Sequence, residues 1–392
     1  MKKRSSGRPA DLNKFAVMIC ARNEGKVIGD LLDCLKNQTY PTEYMTVFVM
    51  ADNCTDNTAY VARERGAVVY ERFEKDKVGK GYALEVLRHH IAEDYPEGFD
   101  AYFVFDADNI LRKNYIEEMN KTFCEGNEIV TSYRNSKNLG NTWVSAGSGW
   151  WFLRESRYLQ YPRFLLGTSG TASGTGFMFS RKVSDEIGDW PFHLLTEDVE
   201  FSADQILKGR KIAMCMNAEL FDEQPLKFKQ CWTQRIRWGK GYLQVLRVYG
   251  WRLLKGALKG SFSCFDIVMN IAPAFILTII SVVLGLTLAV WGAIIGDNIL
   301  IGIQSVAELL LNAYLMLFAL SLITTITEWS HIHMKTWKKI LYTFTFPLFM
   351  FTYVPIALVS LFGHVTWKPI EHTVTVDQMK KTENQKETEI IE

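Results

Sequence analysis

Up to about residue 220, short apolar runs alternate with segments whose apolar residues recur every three or four positions. Beyond about 260, long uncharged runs replace both. The short runs predict strands at 15–21, 46–51, 67–70, 101–105, 129–133 and 177–180. Between the first two, Val27, Ile28, Leu31, Leu32 and Leu35 share one helical face. Further helices are predicted over 55–65, 79–91 and 115–123. Alternating strand and helix predict a doubly wound, mostly parallel α/β sheet. In such a sheet the ligand lies along the carboxyl ends of the strands. Those ends are polar here: Ala21-Arg22-Asn23-Glu24, Asp52-Asn53, and Asp106 to Asn109.

The uncharged runs are 267–296, 309–327 and, apart from His364, 340–367. A bilayer core takes about 20 residues, so 263–366 is expected to cross a membrane two to three times. Pro347 and Pro355 are placed to break the last segment. Ahead of these runs, Leu243, Leu246, Leu253, Leu254 and Leu258 are set among Arg247, Arg252, Lys255 and Lys259. That is the pattern of an amphipathic helix lying on a cytoplasmic membrane surface, over 241–262. Lys335, Lys338 and Lys339 favour the cytoplasmic side and Asp297 the outside, which leaves residues 14–240 as a cytoplasmic domain of a multi-pass plasma-membrane protein. The start, Met1-Lys-Lys-Arg, is basic and polar rather than a signal peptide, so 1–13 reads as an extension. Residues 367–392 hold a Trp-containing segment and a charged tail expected to be disordered.

A net charge of +1 gives no bulk electrostatic case for nucleic acid. The seven cysteines show no metal-ligand spacing and fit reduced thiols in a cytoplasmic domain. No Gly-x-x-x-x-Gly-Lys-Ser/Thr loop and no Gly-x-Gly-x-x-Gly turn follows the first strand, which disfavours Walker-type ATPases and dinucleotide dehydrogenases. The chemistry gathers elsewhere. Asp106-Ala-Asp108 ends the strand at 101–105. Two acids one residue apart repel unless a proton or cation sits between them, and hard oxygens suit Mg²⁺ or Mn²⁺. A solvated strand-end turn is the plainer alternative. Thr196-Glu197-Asp198 reads either as a reactive acid pair or as a helix start capped by Thr196. Gln234-x-x-Arg237-Trp238 alone reads as a basic surface helix, and the glycine-rich 170–176 as a close-approach loop or an ordinary turn.

Taken in order, Asp52, Asp106-x-Asp108, Thr196-Glu197-Asp198 and Gln234-x-x-Arg237-Trp238 resemble the membrane-integrated glycosyltransferases of family 2, relatives of cellulose, chitin and hyaluronan synthases. Ala21-Arg22-Asn23-Glu24 and Gly79-Lys80-Gly81 fit the same pattern. The resemblance covers residues 14–260 by motif and the rest by layout. It implies a GT-A-like nucleotide-sugar domain, followed by the interfacial helix and an α-helical membrane region. The 21–24 turn, Asp52 (to the uracil imide), Lys80, Asp106, Gln234 and Arg237 would bind the UDP-sugar. Asp108 would hold Mg²⁺ or Mn²⁺. Asp198 would be the general base, its pKa raised by Glu197. Trp238 would stack on the acceptor, and Trp367-Lys368-Pro369 would close over the donor.

The expected function is therefore an inverting, processive β-glycosyltransferase, with UDP-glucose or UDP-N-acetylglucosamine as donor and a growing membrane-associated glycan as acceptor. The small membrane part and the lack of helices before the catalytic domain keep two alternatives open. One is a non-processive enzyme acting on a membrane lipid. The other is a regulatory component of glycan export. A homo-oligomer or an export partner is compatible with each.

Overall fold

The computed structural model describes residues 11–295, 299–363 and 372–376. Residues 1–10, Asp297, His364, Trp367-Lys368-Pro369 and the tail from Asp377 lie outside the described residues.

The first half of the sheet follows the alternation in the sequence. It runs β1 (Phe15–Ala21), α1 (Ile28–Lys36), β2 (Met45–Asp52), α2 (Thr58–Glu64), β3 (Val68–Arg72), α3 (Lys80–Asp94) and β4 (Ala101–Asp106). β1 pairs in parallel with β2 and β4, and β2 with β3, so these carboxyl ends share one edge. Val17, Ile19, Phe48 and Phe103 are fully buried, as strands covered by helices on both faces require.

The second half departs from the expectation of a mostly parallel sheet. It holds β5 (Ile110–Leu111), α4 (Tyr115–Cys124), β6 (Ile129–Ser136), α5 (Trp143–Arg154), a π-helical turn (Glu155–Gln160), α6 (Tyr161–Leu165), β7 (Phe177–Ser180), α7 (Arg181–Ile187), α8 (Glu197–Leu207) and β8 (Ile212–Asp222). The strand order is β3-β2-β1-β4-β7-β6-β8-β5. β7 runs antiparallel to both β4 and β6, and β5 antiparallel to β8, so the sheet is mixed. The reason is local. The glycine-rich loop before β7 is tied to the carboxyl half of β4, where the Gly176 amide donates to the Val104 carbonyl at 2.9 Å. A strand that starts at that edge must run back across the sheet.

α9 (Phe228–Leu258) is one helix of 31 residues that runs straight through residue 240. It carries the Gln234–Trp238 motif and the basic amphipathic stretch on a single rod, packed on α8 and on α10 (Phe262–Ile271). Gly241 permits the crossing: a Cβ there would lie 2.5 Å from Thr196 Cγ2. α11 (Pro273–Ile295), α12 (Ile299–Thr327), α13 (Thr336–Phe351) and α14 (Tyr353–Phe362) follow. Pro347 lies inside α13 without ending it. The break falls at Thr352, three residues before Pro355, whose ring and missing N–H disrupt the preceding turn. Among the described residues, Gly302–Thr327 and Thr336–Phe362 are long and apolar enough to cross a membrane. Their mutual connection docks on the sheet: Tyr133 donates to Glu328 Oε2 at 2.5 Å, and His331 Nδ1 lies 3.0 Å from Glu219 Oε1.

Candidate active site

The shared carboxyl edge, the loop before β7, the start of α8 and the middle of α9 enclose a cavity of about 260 Å³. From the strand ends come Ala21, Arg22, Glu24, Asp52, Asp106 and Asp108. Lys80 opens α3, Glu197 and Asp198 open α8, and α9 contributes Gln234, Arg237 and Trp238. Motifs spread over more than 200 positions thus meet at one cavity. Asn23 does not line it. Its backbone is left-handed, at φ 59°, and its Oδ1 accepts the Thr55 amide at 2.7 Å. Asn23 shapes the turn after β1 and contributes no side chain to the cavity.

Asp52 is seated by Arg72, whose Nη1 donates to Oδ1 at 2.6 Å, and by Asn53 Nδ2 at 3.0 Å. Burial raises its pKa, and Arg72 only partly offsets this. Lys80 Nζ donates to Asp106 Oδ1 at 2.5 Å and to the Gly174 carbonyl at 2.8 Å. Burial alone would lower the lysine pKa, but Asp106 and Glu197 outweigh it and hold the ammonium charged. Asp108 Oδ2 accepts the Glu223 amide at 2.8 Å. Against burial, His372 and Lys137 keep the Asp108 carboxylate below its ordinary pKa.

The acid pair lines the cavity from the start of α8. Burial pushes both carboxyls up, and Glu197 reaches about 7 through burial and then the charge of Asp198. For Asp198 burial leads, while the Val199 amide and Lys80 oppose the rise; the two buried acids stand side by side and repel each other. Thr196 precedes the helix but makes no capping bond; its Oγ1 is buried without a hydrogen-bond partner among the described residues. Gln234 Oε1 and Arg237 Nε are likewise buried and unpartnered among the described residues.

Several cavity residues escaped the sequence reading. Arg134 follows a register shift in β6 between Ser132 and Tyr133, and pairs with Asp222 at 2.5 Å. A polar tail on an apolar strand, Arg134-Asn135-Ser136, was its only signal. Glu155 and Tyr242 line the wall beside Trp238. His372 comes from the short segment 372–376, far along the chain, and its Nδ1 lies 2.9 Å from Glu24 Oε1. Burial opposes its charge, but Asp108 and Glu24 push its pKa up to about 10. Glu223 holds the same segment through the Thr373 and Val374 amides at 3.0 and 2.8 Å. No local sequence pattern announces such a long-range contact.

A curled mixed sheet with an Asp-x-Asp strand end and an acid-bearing helix start defines the GT-A class of nucleotide-sugar folds. The chain belongs to glycosyltransferase-like family 2, whose family model matches residues 12–241. It is 26% identical over 251 residues to the β-monoglucosyldiacylglycerol synthase of Synechocystis, covering 61% of this chain and 50% of that protein. It is 24% identical over 241 residues to the poly-β-1,6-N-acetyl-D-glucosamine synthase of Staphylococcus aureus, covering 60% and 56%. The chain thus spans about half the length of the curated relatives it matches. In fold it is similar to a mannosyltransferase from Pyrobaculum calidifontis solved with GDP-mannose and Mn²⁺, at a TM-score of 0.53, 16% identity, and 90% and 88% coverage.

Proposed function

We propose that this chain is an inverting glycosyltransferase of the cytoplasmic face of the plasma membrane. It transfers glucose or N-acetylglucosamine from the UDP-sugar to a membrane-associated glycan. The observation that carries the reading is the convergence of Lys80, Asp106, Asp108, Asp198, Gln234, Arg237 and Trp238 on one cavity. Asp52 and the 21–24 turn take the nucleoside. Lys80, Arg237 and Gln234 hold the diphosphate, the arginine through its planar fork and the lysine as a point charge. Asp198 accepts the proton of the acceptor hydroxyl. That oxygen attacks the anomeric carbon from the face opposite the diphosphate, the bond to the phosphate oxygen breaks, and the configuration inverts.

The acids fit a divalent cation of the Mg²⁺ or Mn²⁺ type. Asp108 is buried, with one oxygen on a backbone amide. Among the described residues no group of three or more His, Cys, Asp or Glu could hold a metal. Asp108 would hold such an ion together with the substrate phosphates, the usual mode for Mg²⁺, and the ion would supply positive charge to the leaving diphosphate. The exposed apolar side chains of α9 to α14, such as Trp251, Leu258, Leu286 and Leu310, support burial of that half in a bilayer.

Incubating membranes that contain the protein with labelled UDP-glucose, UDP-N-acetylglucosamine and GDP-mannose, with Mn²⁺, tests the proposal. UDP release with incorporation of glucose or N-acetylglucosamine is expected. Turnover of GDP-mannose alone, or of none of the three, overturns it.

A further inference from the structure

One wall of the cavity ends on a carboxyl that the transfer reaction above leaves unused. Glu155 opens the π-helical turn between α5 and α6. Such turns insert an extra residue into a helix, re-aim its side chains, and recur at functional sites. Here the turn sets Glu155 into the cavity lining, together with Phe152, Trp238 and Tyr242. The side chain has one firm hydrogen bond, from Gln160 Nε2 to Oε1 at 3.1 Å. Ser173 Oγ lies at 3.5 Å from both carboxylate oxygens, too far for a second strong one. Among the described residues no lysine or arginine pairs with it directly. A carboxylate has about four lone-pair sites, so most of the accepting capacity of Glu155 faces the cavity unspent.

Its position relative to the base is fixed by one short loop. On one side Gly174 takes the Lys80 ammonium on its carbonyl, and on the other Ser173 faces Glu155. Glu155 lines the cavity together with Trp238 and Tyr242, and Ser173, which faces it, adjoins Gly174, where a Cβ would lie 3.9 Å from Asp198 Oδ2. An aromatic ring beside an acceptor carboxylate is the chemistry of a sugar subsite: C–H faces on the ring, hydroxyls on the carboxylate.

We propose that Glu155 is an acceptor-binding, specificity-determining residue. It receives a second hydroxyl of the acceptor whose first hydroxyl meets Asp198. The acceptor is then a polyhydroxylated sugar unit rather than a lipid with a single free hydroxyl. The proposal rests on the transfer reaction proposed above and narrows its substrate class.

The test uses the full chain in lipid nanodiscs, with the UDP-sugar it turns over and two soluble probes. Octyl β-glucoside offers several hydroxyls and dioctanoylglycerol offers one. The wild type should use octyl glucoside with the higher kcat/KM. Glu155→Gln and Glu155→Ala should each lower kcat/KM for octyl glucoside about 10- to 100-fold, mainly through KM, the range for losing a hydrogen bond to a charged group. Glu155→Asp should restore part of the loss. UDP affinity and melting temperature report on the donor site and the fold, and should not move. Unchanged use of octyl glucoside by both variants overturns the proposal. So does an equal loss with both probes accompanied by a lower melting temperature, which would make Glu155 structural. A wild type that prefers dioctanoylglycerol overturns it as well. Failure of the wild type to release UDP from any UDP-sugar sinks the transfer reading itself, and this proposal with it.

Discussion

Asp198 and Glu197 are neighbours at the start of α8, yet their surroundings set them different tasks. Burial raises the Asp198 pKa and the Val199 amide and Lys80 ammonium oppose that rise, which suits a carboxylate that accepts a proton during turnover. Asp198→Asn keeps the shape and removes the basicity. Transfer is expected to fall about 10²- to 10⁴-fold, the usual worth of general-base catalysis, with UDP binding retained in a titration. Near-normal turnover would remove Asp198 from the role. Glu197 is the strained member. Its pKa rises from 4.5 to about 7, so its buried charge costs stability. Below pH 4.5 both folded and unfolded chains carry it protonated and the cost vanishes; between 4.5 and about 7 the unfolded chain ionises first and stability falls as pH rises. Glu197→Gln should therefore melt like the wild type at pH 4.5 and higher than it at pH 8, whatever it does to turnover. A constant gap across that window would contradict the assignment. Asp108→Ala tests the metal: wild-type UDP affinity should weaken on adding EDTA, and the variant's should be weak with or without it. EDTA-insensitive UDP binding in both proteins would exclude a metal at this carboxylate.

α9 links the two regimes of the chain, and its seat on α8 decides where Arg237 and Trp238 stand relative to Asp198. Gly241 makes that seat possible. Gly241→Ala would drive a methyl into Thr196, the residue just before the acid pair. Overpacking of this kind costs about 1–3 kcal/mol, and α9 must shift to relieve it. Transfer and UDP binding are both expected to drop, because Gln234 and Arg237, proposed to hold the diphosphate, move with Trp238 on α9. If turnover and melting temperature both match the wild type, the crossing does not position the site. The legibility of the chain divides along the same lines. β1 and β4 were readable because they are buried almost along their whole length, and α1 because it shows an apolar stripe of period 3.6. Asp52, Asp106, Asp108, Asp198 and Arg237 were readable because they end strands or sit in spaced motifs. Direction was not readable: a four-residue run such as Phe177–Ser180 looks the same whichever way it pairs, and only the Gly176 tie to β4 turns it antiparallel. The extent of α9 was missed because Gly239 and Gly241 look like breakers. They are buried in the helix, where close contact favours a residue without a side chain. Arg134, Glu155 and His372 were missed because a bulge, a π-turn and a contact across some 350 residues leave no local pattern.

At the scale of the whole molecule, the site lies between the sheet proposed to bind the donor and helices whose apolar faces are exposed. The segment 372–376 ties the far end of the chain back across the strand edge: Val374 packs against Ile110 and Phe221, and the Val376 amide donates to Asp30. The segment 372–376 thus braces the proposed donor side. The proposed acceptor side is framed by α5 and α9, with Phe152 and Trp238 edge to face at 6.1 Å. That frame carries the choice between adding one sugar to a lipid and extending a glycan. If Trp238 stacks on the acceptor, it contributes nothing to uracil or phosphate recognition. Trp238→Ala should leave UDP binding nearly intact and lower transfer. An indole face in contact with a sugar is worth on the order of 1–3 kcal/mol, or roughly 5- to 150-fold in acceptor affinity. An enzyme that extends a chain must also hold its product between additions, so weaker stacking should shorten the chains still made. An enzyme that glycosylates a lipid once has no chain to hold; its product keeps one size and only its rate changes. Sizing the products of the wild type and of Trp238→Ala separates the two. Shorter chains from the variant support extension with Trp238 as the grip. Full activity with unchanged chain length refutes the stacking role, and a single-sugar lipid product from the wild type overturns the glycan reading.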